Sequence, residues 1–167
     1  MTDTTFASKH APPVAGSKRS ERVYLLALLC LGLLLRLVLL PLDGYQVDVT
    51  LFTEWTNALR KIPLNEYYGL VSPWCDYLPG YLYLLGATDW LKSLVSGPAE
   101  LTVRDFQPWI KAGPVIADLI LVVLVYTISR RFSGPRRALI AASLVALNPG
   151  IIFVSSVWGQ VESIATA

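Results

Sequence analysis

The side chains that could do chemistry in this 167-residue chain are carboxylates. Its single histidine, His10, lies in the N-terminal tail, which removes histidine-based acid–base and triad catalysis. Cys30 falls inside an apolar run and Cys75 in an aromatic loop; one at membrane depth and one at the surface, they are not expected to pair, and no metal-site spacing occurs. No Walker A, GxGxxG, GxSxG or HExxH pattern occurs. Two acids then stand out. Asp48 lies in Gly44-Tyr-Gln-Val-Asp-Val-Thr-Leu-Phe-Thr-Glu-Trp55, directly after a long apolar run, and Glu162 lies in Trp158-Gly-Gln-Val-Glu-Ser163. A carboxylate held at the edge of a membrane can take a proton from an attacking hydroxyl. Asp is also a preferred helix N-cap, and the two roles of Asp48 are compatible.

The elements that must position these acids are membrane helices. The chain is 54% hydrophobic and 16% charged with mean hydropathy +0.52, too apolar for a soluble domain. Its basic residues flank apolar segments instead of lining one face, so no nucleic-acid partner is expected. Residues 1–21 are too polar to bury a core and read as a disordered cytoplasmic tail. The run 23–42 is about the 20 residues a bilayer crossing needs. Lys18, Arg19 and Arg22 before it place the N-terminus in the cytoplasm. The run is too long for a signal-peptide core and has no small-x-small cleavage site after it, so it reads as a retained anchor. From Leu51, apolar residues at Phe52, Trp55, Ala58 and Leu59 predict an amphipathic juxtamembrane helix over 48–61. The stretch 62–78 is loop-like, with Pro63, Gly69 and Pro73 among its aromatics.

Topology follows from charge. Arg130, Arg131, Arg136 and Arg137 form the strongest basic cluster and are expected in the cytoplasm. An odd number of crossings must then separate them from Asp48. The segment 109–130 is the convincing crossing, so 80–95, which opens after Pro79 and carries Asp89 and Lys92, is expected in the outer interface and not across the membrane. Residues 96–107 read as an outer loop. A third crossing over 138–157, kinked at Pro149-Gly150, returns the chain to the outer side and delivers Glu162 to the face that holds Asp48.

Several other residues have two readings each. Arg36, near the outer end of the first crossing, either snorkels to headgroups or serves as a fixed cation beside Asp43, Asp48 or a lipid phosphate. Asp118 lies within the second crossing. It either pairs with Lys111 two turns earlier or marks a functional site. Tyr67, Tyr68, Trp74 and Tyr77 form either an interfacial belt or a platform for a sugar or isoprenoid.

Together, Asp48 with Phe52 and Trp55, Asp76-Tyr-Leu-Pro-Gly-Tyr-Leu-Tyr83, Arg130-Arg-Phe-Ser-Gly-Pro-Arg-Arg137, Asn148-Pro-Gly150 and Trp158-Gly-Gln-Val-Glu-Ser163 resemble the GT-C superfamily of integral-membrane glycosyltransferases. The nearest likeness is to bacterial mannosyltransferase-like members that use a polyprenyl-phosphate-linked sugar. It covers about residues 22–167. The resemblance implies an all-α membrane protein of about three transmembrane helices and two extracytoplasmic juxtamembrane helices, an incomplete GT-C-like bundle in the plasma or inner membrane. Such enzymes commonly run to several hundred residues, so the chain reads as the N-terminal part of one, inactive alone.

The implied activity is transfer of a hexose, here mannose, from a polyprenyl-phosphate donor to a sugar or protein acceptor outside the cytoplasm. Asp48 is the implied general base. Glu162 stands where the family usually has Asp; it keeps the charge but lengthens the reach, and would orient the acceptor or, with Asp48, hold a divalent ion (Mg or Mn). Arg36 and Lys111 are candidates to meet the phosphate, and Trp158, Gln160, Asp76 and Tyr77 to bind substrate. Two rival readings are a non-catalytic membrane binding or assembly protein, and a transporter fragment built on Asp118.

Overall fold

The computed structural model describes residues 18–70 and 75–160. Among these residues the chain is all-α. Helix α1 runs Lys18–Leu39, α2 Gln46–Leu59, α3 Leu64–Leu70, α4 Pro79–Ser96, α5 Val103–Ser133, α6 Pro135–Ala146 and α7 Pro149–Ile152, continuing as a π-helical turn over Phe153–Trp158.

Two helices are long and apolar enough to cross a membrane: Arg19–Leu39 within α1, and α5. The bent pair Pro135–Ala146 and Pro149–Trp158 makes a third crossing if it counts as one span. Helix α4 does not qualify. Its acid and lysine face inward: Asp89 and Lys92 are buried with Leu82 and Leu85.

The polypeptide alternates direction. At one end of the bundle Arg130 Nη2 lies 2.8 Å from Glu21 Oε2. At the other end Gly44 N–H donates to Gln107 Oε1 at 3.0 Å and Tyr45 N–H to the Trp158 carbonyl at 3.1 Å. The arginine cluster therefore shares an end with the start of α1, and the Asp48 loop shares the opposite end with the start of α5 and with Trp158.

Each end has its own core. Along the crossings, Ala138, Ala142 and Ala146 recur every fourth residue of α6 and are fully buried against Val122 and Tyr126 of α5 and leucines of α1. A stripe of small side chains lets helix backbones approach closely, which matters where lipid removes the hydrophobic drive for association. Gly134, at φ +77°, makes the tight turn from α5 to α6 that antiparallel packing requires. Beyond the crossings, α2, α3, α4 and the first turns of α5 bury Phe52, Trp55, Tyr67, Leu82, Leu85 and Phe106. Arg60 ties α2 to α4: its Nε and Nη2 reach the two oxygens of Asp89 at 2.8 and 2.5 Å. Its Nη1 donates to the Ala99 carbonyl at 2.6 Å. Bidentate geometry of this kind is directional as well as strong, and it accounts for an acid in the middle of an apolar helix.

Several elements differ from expectation, and the stretch 62–78, expected as loop, holds helix α3 at Leu64–Leu70. Helix α5 starts at Val103, inside the stretch expected as outer loop. Thr102 and Asp105 form a reciprocal cap, with Asp105 N–H donating to Thr102 Oγ1 at 3.2 Å and Thr102 Oγ1 donating to Asp105 Oδ2 at 2.8 Å. The signal was present as Thr-x-x-Asp before an apolar run. Asp48 is not the cap of α2. Tyr45 occupies that position in extended conformation, and Asp48 falls in the first helical turn. The third crossing is broken rather than kinked. Asn148 caps a new helix by accepting from Gly150 N–H and Ile151 N–H at 2.9 and 3.3 Å, and the two pieces meet at 42°.

Candidate functional site

Asp48 is half-buried at the end of the bundle away from the arginine cluster. Its Oδ2 accepts from Trp158 Nε1–H at 3.0 Å and from the Gln160 side-chain amide. Gln160 in turn accepts from the Tyr77 hydroxyl at 3.2 Å. Tyr77 packs against Phe52, Trp55 and Tyr81, with ring centroids 5.5, 5.6 and 4.8 Å away. Four residues named from sequence, Asp48, Tyr77, Trp158 and Gln160, thus form one hydrogen-bonded chain.

Local backbone makes this convergence work. Gly159 sits at φ +89°, the left-handed region that side-chain-bearing residues avoid. That turn lets Trp158 and Gln160, two residues apart, both address the same carboxylate oxygen. Gly44 is required by space. A Cβ there would lie 2.8 Å from Val49 Cγ2 and 2.9 Å from the Trp158 carbonyl oxygen. Gly44→Ala is expected to cost about 1–3 kcal/mol by overpacking and to push the Asp48 loop off Trp158. Thermal unfolding in detergent reads this, and an unchanged midpoint would show that the loop is not clamped there.

The two cations expected near phosphate are both turned into the protein. Arg36 is fully buried and turned inward. Its Nε donates to Asp118 Oδ2 at 2.9 Å, and its Nη1 to the Gly32 and Ala146 carbonyls, each at 3.0 Å. It neither snorkels nor meets Asp43 or Asp48. Ala146 ends α6, and the helix break leaves its carbonyl without the usual partner four residues on, because Gly150 N–H is taken by Asn148. Arg36 fills that vacancy. Asp118 accordingly pairs with Arg36 and not with Lys111.

Lys111 is also fully buried. Its Nζ donates to the Leu42 and Leu40 carbonyls at 2.5 and 3.4 Å, capping the frayed end of α1. Lys111 also lies against Gly159, between the two residues that hold Asp48: a Cβ there would be 3.5 Å from Lys111 Cγ. Asp76 is exposed and takes no part in the Asp48 network among the described residues. Glu162 and Trp74 lie outside the described residues.

Sequence reasoning passed over Gln107. Its Nε2 donates to the Leu42 carbonyl at 3.1 Å while its Oε1 accepts from Gly44 N–H. Gln107 and Lys111, one helical turn apart on α5, together hold the loop that leads to Asp48. The missed start of α5 hid that pairing. Beside the carboxylate an open cleft of about 220 Å³ is lined by Asp43, Tyr45, Phe153 and Trp158. The rings of Tyr45 and Phe153 lie 5.5 and 6.1 Å from that of Trp158. Nearby, burial pushes the Cys75 thiol upward, with the Asp76 charge adding to the shift.

The described residues do not suit a divalent ion at Asp48. They bring one carboxylate, whose Oδ2 already faces two N–H donors, and they contain no cluster of three or more His, Cys, Asp or Glu placed to hold a metal. A magnesium ion asks for about six oxygens in octahedral array.

Fold and site together define an all-α membrane protein with a hydrogen-bonded carboxylate at one end of its bundle. The chain is similar to two curated proteins, both named dolichyl pyrophosphate Glc1Man9GlcNAc2 alpha-1,3-glucosyltransferase. The one from Candida glabrata is 28% identical over 141 residues, 77% of this chain. The one from Arabidopsis thaliana is 24% identical over 156 residues, 86% of this chain. The chain spans only 26% and 30% of the lengths of these relatives. No family model and no solved structure matches it. These relatives support the resemblance to GT-C glycosyltransferases, and being glucosyltransferases they do not support its bacterial mannosyltransferase-like branch.

Proposed function

We propose that the chain is the Asp48-bearing part of a membrane glycosyltransferase that moves a hexose from a polyprenyl-phosphate donor to a hydroxyl of a lipid-linked oligosaccharide. The single observation that carries this reading is the convergence of Trp158 and Gln160 on Asp48 from more than 100 residues away. Two N–H donors occupy Oδ2, and Oδ1 makes no bond among the described residues. An acceptor hydroxyl donates to Oδ1 and passes its proton there as its oxygen attacks the anomeric carbon. The bond from that carbon to the phosphate oxygen breaks, and polyprenyl phosphate leaves with the electron pair. The aromatic cleft beside Trp158, with Asp43 at its rim, suits a pyranose: rings for its C–H face, a carboxylate for its hydroxyls. Glu162 keeps its proposed role of orienting the acceptor. The names of the relatives favour glucose over mannose as the hexose.

Membranes carrying the full-length protein, supplied with polyprenyl-phosphate glucose and mannose side by side, are expected to transfer glucose faster. Transfer of neither sugar defeats the enzyme reading. The same reading places the N-terminus in the cytoplasm and Asp48 on the far face. In a background freed of Cys30 and Cys75, Asp43→Cys is expected to react with an impermeant maleimide added outside, and Ser133→Cys to react only after permeabilisation. The reverse pattern would invert the orientation.

A further inference from the structure

Helix α6 buries its alanine stripe and leaves the opposite face open. A groove of about 710 Å³ runs along that face, from Arg136 past Ile140 and Leu144 to Leu147 and Pro149. Ile140 is 54% exposed and Leu144 70% exposed. The groove is mainly apolar, with Ser143 midway and Asn148 at its far end, and it is cationic at the Arg136 end. Arg136 lines it there, and Arg137 follows in sequence. Neither arginine has an ion-pair partner among the described residues, whereas Arg130 is taken by Glu21. The other end closes at the Asn148–Pro149 helix break.

The dimensions point to one occupant. From residue 136 to 147 an α-helix rises about 16 Å. That is close to half of a hydrocarbon core about 30 Å thick, the depth reached by one acyl chain of one leaflet. The cations then sit at headgroup level, where basic pockets hold anionic lipid phosphates.

We propose that this groove is a binding site for a single anionic phospholipid. One acyl chain lies along Ile140, Leu144 and Leu147, and the phosphate is held by Arg136 and Arg137. The site faces the opposite membrane surface from Asp48 and does not depend on the glycosyltransferase reading.

Native mass spectrometry of the full-length protein, with phosphatidylglycerol or phosphatidylcholine added to the detergent, tests this. One phosphatidylglycerol is expected to be retained in preference to phosphatidylcholine. Replacing both arginines, R136Q with R137Q, is expected to weaken retention about 25-fold, at about fivefold per charge removed near the headgroups. Leu144→Trp, which fills the groove and keeps both charges, is expected to lower retention as well. All three positions are exposed, so the variants keep their helices. Equal retention of the two lipids overturns the proposal. So does unchanged phosphatidylglycerol binding by Leu144→Trp, which would mark a merely cationic surface. Loss of lipid with a photocrosslink from position 144 to protein overturns it too, because another segment or a second copy would then cover the face.

Discussion

Asp48→Asn in the full-length protein is expected to lower hexosyl transfer by about 10²–10⁴-fold, the usual contribution of a positioned general base. The thermal midpoint should stay near that of the wild type. Asn is the informative replacement because its side-chain oxygen can still accept from Trp158 Nε1–H and Gln160, the two donors that hold Asp48. Geometry survives while the proton acceptor is lost, so the loss appears in kcat more than in KM. Two companion variants separate positioning from chemistry. Trp158→Phe and Gln160→Ala each remove one bond to a charged group, a contribution of about 1.5–3 kcal/mol. Each is therefore expected to reduce transfer about 10–100-fold, less than Asp48→Asn. Full activity of Asp48→Asn would remove the base assignment, and activity lost only together with the folded protein would make Asp48 a structural acid.

Asp118→Leu is expected to destabilise the protein by about 3–5 kcal/mol, as measured by unfolding in detergent, because it strands the Arg36 charge inside the bundle. Both side chains are fully buried, so solvent cannot take over the lost partner. The pair is imperfect as it stands: Arg36 Nη2 and Asp118 Oδ1 are buried without a partner. Removing both charges, with Arg36→Leu and Asp118→Leu together, is therefore expected to cost less than Asp118→Leu alone. Full recovery is not expected. Arg36 also satisfies the Ala146 carbonyl at the helix break, and an orphaned buried carbonyl costs about 1–3 kcal/mol. A change below about 1 kcal/mol for Asp118→Leu would mean that the pair does not hold the bundle. The break matters to the site because α7 and the π-helical turn after it end at Trp158.

Much of the protein was legible along the chain, for reasons of period and polarity. Long apolar runs, the arginine cluster and the 3.6-residue period from Leu51 define an all-α membrane protein, because lipid tolerates only backbones that satisfy themselves. Tyr77 could be nominated as an aromatic platform, and Trp158 and Gln160 through the resemblance to GT-C glycosyltransferases. The partners of charged residues could not. Arg36 offered two candidate acids or a lipid phosphate and took a third acid, Asp118, 82 residues away. Lys111 had an acid two turns along its own helix and instead capped α1. A long cationic side chain reaches several ångströms in any direction, and only the packed helices decide which carboxylate or carbonyl is within reach. Asn148-Pro149 could be read as an interruption, but whether it kinks or breaks the helix depends on whether a neighbour satisfies the freed carbonyl. Arg36, on another helix, does so. Composition and periodicity thus determined which elements exist and that they belong in a membrane. The tertiary structure alone decided that Trp158 and Gln160 meet Asp48, because that meeting rests on a left-handed Gly159, a space only Gly44 fits, and the clamp of Gln107 and Lys111 on the intervening loop.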